Sequence, residues 1–139
     1  MEFTNKTVCI TGASVGDELD GSLARAGAVE RRYPYQTNKS MRDAINEGKV
    51  AYVDMHLSRV PYWIKHNYFG KLDYAVIEAA AVTEEGNIVP TTSVGCSDVL
   101  VKAADKVIVE INTCIPETIE GLHDIYAAEK IPNTKPIPL

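Results

Sequence analysis

Short apolar runs rich in β-branched residues alternate with stretches of helical spacing along the chain. Runs of four or five such residues predict buried strands at Thr7–Ile10, Val50–Val53, Tyr74–Ile77 and Val107–Ile111. The intervening spacing and capping residues predict helices at Asp17–Ala26, Lys39–Glu47, Leu57–Phe69 and Ser97–Ala104. This order is typical of an α/β domain, with an open, mixed but mainly parallel sheet flanked by helices.

Boundary residues support these helices. Asn38 is a predicted N-cap, and Pro61 suits the first turn of the third helix. Ser97 is the predicted cap of the fourth helix, or Ser93 if that helix begins earlier. Glycines that can end a helix follow the first three: Gly27, Gly48 and Gly70.

A hairpin is expected after the third strand. The interval Glu84–Asn87 separates the apolar stretches Ala75–Val82 and Ile88–Val89, and its Gly-Asn pair tolerates the positive φ of tight turns. The sheet should therefore be mixed. Residues 1–115 are expected to form the α/β unit. Residues 116–139 hold four prolines and are expected to be an extension leading to a further half.

Composition narrows the function classes. The chain has 139 residues, 45% of them apolar, and a formal net charge of -5. This acidic balance disfavours binding to nucleic acid or to a membrane surface. With no long apolar run or secretory signal, we expect a cytoplasmic protein. The three cysteines lack metal-ligand spacing and are expected to be free thiols.

Candidate chemistry begins at TGASVGDELDG, residues 11–21, where a predicted strand meets a predicted helix. Backbone N–H groups at such a turn can hold an anion or an oxyanion, and Ser14 would add a hydroxyl. The stretch lacks the nucleotide P-loop pattern. The alternative is that Gly12 and Gly16 only permit a tight turn.

A second turn, Thr92–Ser97, repeats the Ser-Val-Gly of residues 14–16 and also precedes a predicted helix. Loops at the carboxyl ends of strands in open α/β sheets commonly bind ligands, so we expect both turns to line one cleft. Chance recurrence of so short a motif is the alternative.

The first turn also resembles that of short-chain dehydrogenases, and Tyr126 and Lys130 have the spacing of their catalytic pair. However, Glu18 replaces the third glycine and would repel a pyrophosphate. Pro132 would break the helix needed to present Tyr126 and Lys130. This interpretation is kept as a secondary alternative.

Several blocks together resemble the acetyl-CoA hydrolase/transferase family of class I CoA-transferases. In the family's order and spacing these are TGASVGDELDGSLARAGAVERRYPYQTN, MRDAIN, DMHLS, VIEAAAVTEEGNIVPTTSVG, and KVIVEIN followed by EGLHDIY. The resemblance runs from Val8 to Leu139 and implies a half-domain like ribose-5-phosphate isomerase. Two features depart from the family: Cys96 stands where Asn is usual, and a Ser-Gly-Phe block before the first strand is missing.

The resemblance implies that CoA moves from acetyl- or succinyl-CoA to a carboxylate, or that water hydrolyses the acyl-CoA and free CoA is released. A glutamate in the second half, beyond Leu139, would form an acyl anhydride and then a glutamyl-CoA thioester. Ser14 would assist catalysis. The implied substrate-binding residues are Gly12, Ala13, Val15, Gly16, Ser93, Val94 and Gly95.

The resemblance also implies what accompanies the chain. No metal or cofactor is implied beyond the CoA thioester itself. The expected partners are acyl-CoA, small carboxylates and the C-terminal half of the enzyme, with a homodimer at full length. We expect a fragment, split subunit or truncated form that is inactive alone or acts only as a scaffold.

Other residues have two interpretations each. Glu78 is a candidate nucleophile or base, or a structural carboxylate that accepts backbone N–H bonds. His56 and His123 are candidates for acid–base or metal sites, or for hydrogen-bonded loop residues. His66 is expected at the surface or in packing. Cys96, at a helix start, is expected to have a depressed pKa and to be reactive.

Basic and aromatic residues are the last candidates. Glu30–Arg32 can contact CoA phosphates or form a solvated edge strand. Cys9 is expected to be inert in the core. Six aromatic residues can offer a platform for an acyl group or adenine, or pack at a core or domain interface: Tyr33, Tyr35, Tyr62, Trp63, Tyr68 and Phe69.

Overall fold

The computed structural model describes residues 6–10 and 15–122. Within these ranges the strands are β1 Val8–Ile10, β2 Arg31–Arg32, β3 Ala51–Tyr52, β4 Leu72–Val82, β5 Ile88–Pro90 and β6 Ala104–Ile111. The helices are α1 Val15–Arg25, α2 Lys39–Asn46, α3 Val60–Lys65 and α4 Ser97–Ala103, with 3-10 turns at Leu57–Arg59 and Glu117–Ile119. This order confirms the α/β class.

Strand β4 is the centre of the main sheet. It pairs in parallel with β1 and with β6, and antiparallel with β5. The predicted hairpin is confirmed, because the Thr83 N–H donates to the Asn87 carbonyl at 2.9 Å across the turn between β4 and β5. The sheet is therefore mixed and mainly parallel, as predicted.

The predicted strand Val50–Val53 does not belong to this sheet. Its centre, β3, pairs in parallel with β2 to form a separate two-stranded sheet. The N–H of Ala51 donates to the Glu30 carbonyl, and the N–H of Val53 donates to the Arg32 carbonyl, each at 3.0 Å. Both residues of β3 are exposed, although Val50 just before it is buried, so the paired part of this run forms a surface ladder rather than a buried strand.

Two apolar clusters hold the layers together. The larger lies between α3, α4 and β4, and contains Ile64, Leu72, Ala75, Ile77, Val99 and Leu100. The smaller joins Met41 and Ala44 of α2 to Val50, with Ala24 of α1 packed against them. Gly21 of α1 lies so close to Asn38 that an added Cβ would come within 2.7 Å of its amide nitrogen. A larger residue at position 21 would therefore have to displace the Asn38 side chain, which caps α2.

The helix boundaries follow local hydrogen bonding. Asn38 caps α2 as predicted, its side-chain oxygen accepting from the Met41 N–H at 3.1 Å. Gly27 and Gly48 follow α1 and α2 with positive φ, also as predicted. Every helix within residues 6–10 and 15–122 is too short or too polar to cross a membrane.

The prediction of one helix over Leu57–Phe69 is wrong. A 3-10 turn precedes α3, which ends at Lys65, and Asn67 adopts a left-handed conformation with φ of 59°. The Tyr68 N–H then donates to the Trp63 carbonyl at 2.9 Å, which closes a Schellman motif. Asparagine can adopt this conformation, so the helix ends at Lys65, four residues before the predicted end at Phe69.

The division between residues 1–115 and 116–139 stays a prediction. Glu117–Ile119 form a 3-10 turn near β4, and residues 123–139 lie outside the described ranges.

Candidate active site

The carboxyl ends of β1 and β5 point toward each other along the same side of β4. Because β1 and β6 both pair with Tyr74–Val76, they must lie on opposite sides of β4. Ala79 pairs with both Ile111 of β6 and Pro90 of β5, so β5 lies on the β1 side. β1 ends opposite Val76 and β5 ends opposite Ala79. This three-residue separation is roughly 10 Å at a strand rise of about 3.3 Å per residue.

This space, called here the strand-end gap, lies between Ile10 and Pro90 and is backed by Ile77 and Glu78 of β4. Both predicted turns begin at it, since residues 11–14 follow β1 and residues 91–96 follow β5. A register irregularity between Ala79 and Ala81 lies beside it. Bulges of this kind are common next to active sites.

The first turn is described only in part. Gly12, Ala13 and Ser14 lie outside the described residues, while Val15 and Gly16 are the first two residues of α1. The first N–H groups of an α-helix have no acceptor within the helix, so the backbone here is suited to binding negative charge. The predicted roles of these five residues stay predictions.

The second turn is held by buried hydroxyl groups. Thr91, only 2% exposed, accepts a hydrogen bond from the Ser93 N–H at 3.1 Å. Ser97 is also buried, and its hydroxyl donates to the Val94 carbonyl at 2.6 Å. Gly95 has a φ of 51°, which favours glycine. Ser93 and Val94 are thus held in place, although their predicted contact with substrate is untested.

The predicted cap of α4 is wrong. Cys96 is the N-cap residue, with no side-chain cap bond, whereas the Ser97 hydroxyl turns back to Val94. Thr91 and Ser97 were not among the predicted site residues. Both residues lie close to the Ser-Val-Gly motif in the sequence, and this closeness is the signal that could have identified them.

The prediction that Cys96 has a depressed pKa is also wrong. The side chain packs against the larger apolar cluster. Burial raises the pKa of the Cys96 thiol, and the nearby Asp98 carboxylate raises it further. A thiol with a raised pKa is a poor nucleophile near neutral pH. Cys96 and Cys114 are free thiols, and the side chain of Cys9 lies outside the description.

Glu78 lies within β4 at the level of the strand-end gap and is 6% exposed. Its carboxylate accepts a hydrogen bond of 2.6 Å from the side-chain amide of Asn112, the residue after β6. This hydrogen bond supports the interpretation of Glu78 as a structural carboxylate. One of its donors is a side-chain amide, whereas backbone N–H donors were expected. Asn112 was missed because no local pattern relates it to a carboxylate 34 positions away.

The two histidines that the structure describes, His56 and His66, form structural contacts. His56 Nδ1 accepts from the Ser58 N–H at 3.3 Å and caps the 3-10 turn before α3. The exposed His66 ring lies 4.2 Å from the Tyr62 ring, as expected for surface packing. His123 lies outside the described residues. No group of metal ligands occurs among the residues that the structure does describe.

The aromatic and basic candidates form structural contacts. Tyr33 stacks on Phe69 at 4.2 Å, and Trp63 contacts both Tyr68 and Phe69 at 5.7 Å between ring centroids. Packing is thus supported for this cluster. Arg32 pairs with Asp20 of α1 at 2.8 Å, so its guanidinium ties β2 to α1. Arg31 is exposed in β2, as expected for a solvated strand.

Comparison with known proteins supports the resemblance. Residues 2–132 match the family model for the acetyl-CoA hydrolase/transferase N-terminal domain. This range includes Tyr126 and Lys130, so the matched family accounts for the stretch that resembled dehydrogenases.

Two groups of relatives share this similarity. All 139 residues are 48% identical to a succinyl-CoA:acetate CoA-transferase of Clostridium kluyveri. Acetyl-CoA hydrolases of Schizosaccharomyces pombe and Saccharomyces cerevisiae are 41% identical over 132 residues and 39% identical over 134 residues, each match covering 91% of this chain. The chain spans about a quarter of the length of these relatives, 26% of the first and 25% of the others.

Proposed function

The chain belongs to the acetyl-CoA hydrolase/transferase family, and from this premise we propose that it supplies one wall of an active site that moves CoA from an acyl-CoA to an acceptor. The donor would be acetyl- or succinyl-CoA and the acceptor a small carboxylate, whereas in hydrolysis water would take the acyl group and free CoA would be released. The observation that carries the proposal is the strand-end gap, from which both glycine-containing turns emerge.

The strand-end gap is wide enough to admit a carbonyl oxygen that accepts hydrogen bonds from both sides. An oxygen bonded from two sides at about 2.9 Å separates its donors by about 6 Å, less than the roughly 10 Å between the strand ends. In the proposed arrangement, backbone N–H groups of both turns and the Ser14 hydroxyl donate to the thioester oxygen. Charge that develops there in the transition state would be stabilised.

The proposed reaction is completed by groups outside this sequence. A glutamate in the remaining part of the enzyme would attack the thioester carbonyl and expel CoA as a thiolate, which gives an acyl-glutamyl anhydride. The thiolate would then attack the glutamyl carbonyl, release the donor's carboxylate and leave a glutamyl-CoA thioester, which the acceptor resolves. The proposed assembly is this chain with the C-terminal part of the enzyme, arranged as a homodimer. It requires no metal or cofactor beyond the CoA substrate. The proposed location is the cytoplasm, where free thiols such as Cys96 and Cys114 persist.

A hybrid protein tests this function. The 139 residues would replace the matching segment of the Clostridium kluyveri relative, to which they are similar over their whole length. CoA transfer from succinyl-CoA to acetate would be followed by separating the acyl-CoA species, with hydrolysis measured when acetate is omitted. We expect transfer by the hybrid. A hybrid that folds and binds succinyl-CoA but neither transfers nor hydrolyses contradicts the proposal.

Ser14→Ala tests the proposed donor. Loss of one oxyanion donor lowers kcat by roughly 100- to 1000-fold, so a decrease of that order is expected in the hybrid. Ser22→Ala is the matched control, because Ser22 is exposed on α1 and its hydroxyl accepts only a surface bond from Arg25 among the described contacts. Equal kcat values for the two variants would contradict the catalytic role of Ser14 and would favour the interpretation of the chain as a scaffold.

A further inference from the structure

A buried carboxylate lies beside the strand-end gap. Glu78 pairs in register with Glu110 of β6, and side chains at paired positions of a parallel ladder point to the same face. Asn112 follows Glu110 by two residues and therefore lies on that face as well. The 2.6 Å bond from the Asn112 amide nitrogen to Glu78 joins β4 to the segment after β6.

Asn112 also organises the turn that follows it. Its backbone N–H donates to the Ala79 carbonyl at 2.8 Å, and its side-chain oxygen accepts from the Cys114 N–H at 3.0 Å. The Ile115 N–H donates to the Asn112 carbonyl at 3.1 Å. This one residue therefore connects the turn at residues 112–115 to β4 at the level where β5 ends.

The chemical character of Glu78 orients the Asn112 amide. The amide nitrogen donates to the Glu78 carboxyl oxygen and the amide oxygen accepts from the Cys114 N–H, so this orientation satisfies both partners. A reversed amide would place two acceptors together and two donors together.

We propose that Glu78 and Asn112 are a positioning pair for the active site, in which the Glu78 carboxylate, through the Asn112 amide, fixes the turn at residues 112–115 against β4, across that strand from the strand-end gap. Neither residue has to touch substrate. This inference rests on the proposed function, because its readout is the rate of CoA transfer.

The test uses the hybrid protein with Glu78→Leu, which introduces an apolar side chain of similar size and removes the hydrogen-bond acceptor. Displacing catalytic geometry by about 1 Å can lower a rate by roughly 100-fold. We expect kcat to fall by roughly 10- to 100-fold, with KM for succinyl-CoA changed by less than about threefold. Glu78→Gln keeps an acceptor oxygen and should restore kcat to within about threefold of wild type.

Two further variants separate positioning from stability. Ile64→Ala removes a buried side chain of α3, in the larger apolar cluster, and should lower the melting temperature without lowering kcat. Asn112→Ala removes the amide from a half-buried turn residue and should reproduce the kcat loss if Glu78→Leu fails to fold.

The outcomes are distinguishable. Wild-type kcat in folded Glu78→Leu or Asn112→Ala overturns the positioning role, while the activity of the unmodified hybrid still supports the proposed function. An equal kcat loss in Ile64→Ala also overturns it, since the effect would then follow stability. An unmodified hybrid without activity contradicts the proposed function, and this inference with it.

Discussion

Replacing Thr91 by Val tests whether a buried hydroxyl holds the second turn in place. Thr91 is 2% exposed, and its Oγ1 accepts the Ser93 N–H at 3.1 Å. Valine has nearly the same shape, so the substitution opens no cavity but leaves that half-buried N–H without its acceptor. An unsatisfied buried group costs about 1–3 kcal/mol. Because Ser93 is only half-buried, we expect about 1–2 kcal/mol.

Thermal unfolding and amide exchange measure this effect. At about 3–4 °C per kcal/mol for a chain of this length, the melting temperature should fall by about 3–8 °C. Exchange of the Ser93 amide should become roughly 5- to 30-fold faster, the factor that one to two kcal/mol represents. Thr91→Ser keeps the acceptor and should leave that exchange slow, although the lost methyl group lowers stability.

The neighbouring residue provides the matched control. Thr92 is exposed, so Thr92→Val should change stability by less than about 0.5 kcal/mol. If Thr91→Val and Thr92→Val unfold at the same temperature, with equal exchange at Ser93, the hydroxyl does not hold the turn. The account of how the second turn is positioned at the strand-end gap would then be refuted.

Two other predictions concern titrating groups. Iodoacetamide near pH 7 should modify the exposed Cys114 faster than Cys96, whose pKa is raised by burial and whose reaction should accelerate only at alkaline pH; equal rates would contradict this. The Thr7 N–H, aided by Lys6, holds the pKa of the Asp73 carboxyl below its usual value. Its stabilising contribution is therefore present above the unfolded pKa of about 3.9 and is lost as pH falls through the folded value. Asp73→Asn should accordingly lower the melting temperature at pH 7 and have little effect in strong acid, and a pH-independent difference would oppose this assignment.

Features governed by neighbouring residues were predictable from the sequence. The Asn38 cap, the glycines after α1 and α2 and the hairpin turn each depend on bonds between residues a few positions apart. Periodicity also located the strands of the main sheet, although β4 extends at both ends beyond the predicted Tyr74–Ile77.

Features that depend on register were not predictable in this way. The bond between Glu78 and Asn112 requires β4 and β6 to pair with one particular alignment. The strand at Val50–Val53 was predicted, but its pairing with β2 in a separate sheet of two residues per strand was not, because no local pattern specifies the partner. The prediction of a depressed pKa for Cys96 was wrong for another reason. Its position at a helix start favours a thiolate, but burial against the apolar cluster has the larger effect and raises the pKa.

The candidate site depends on β4 as its common reference. β1 enters from one direction and ends opposite Val76, while β5 enters from the other and ends opposite Ala79 at Pro90, which has no N–H to extend the ladder. On the other side, β6 pairs with β4 from Leu72 to Ala79 and leads into Asn112. The segments that border the strand-end gap touch β4, and a shift of β4 by one residue would move them together. Substitutions that displace β4 should therefore affect catalysis more than equally destabilising changes in the β2–β3 sheet, which pairs with no strand of the main sheet within the described residues.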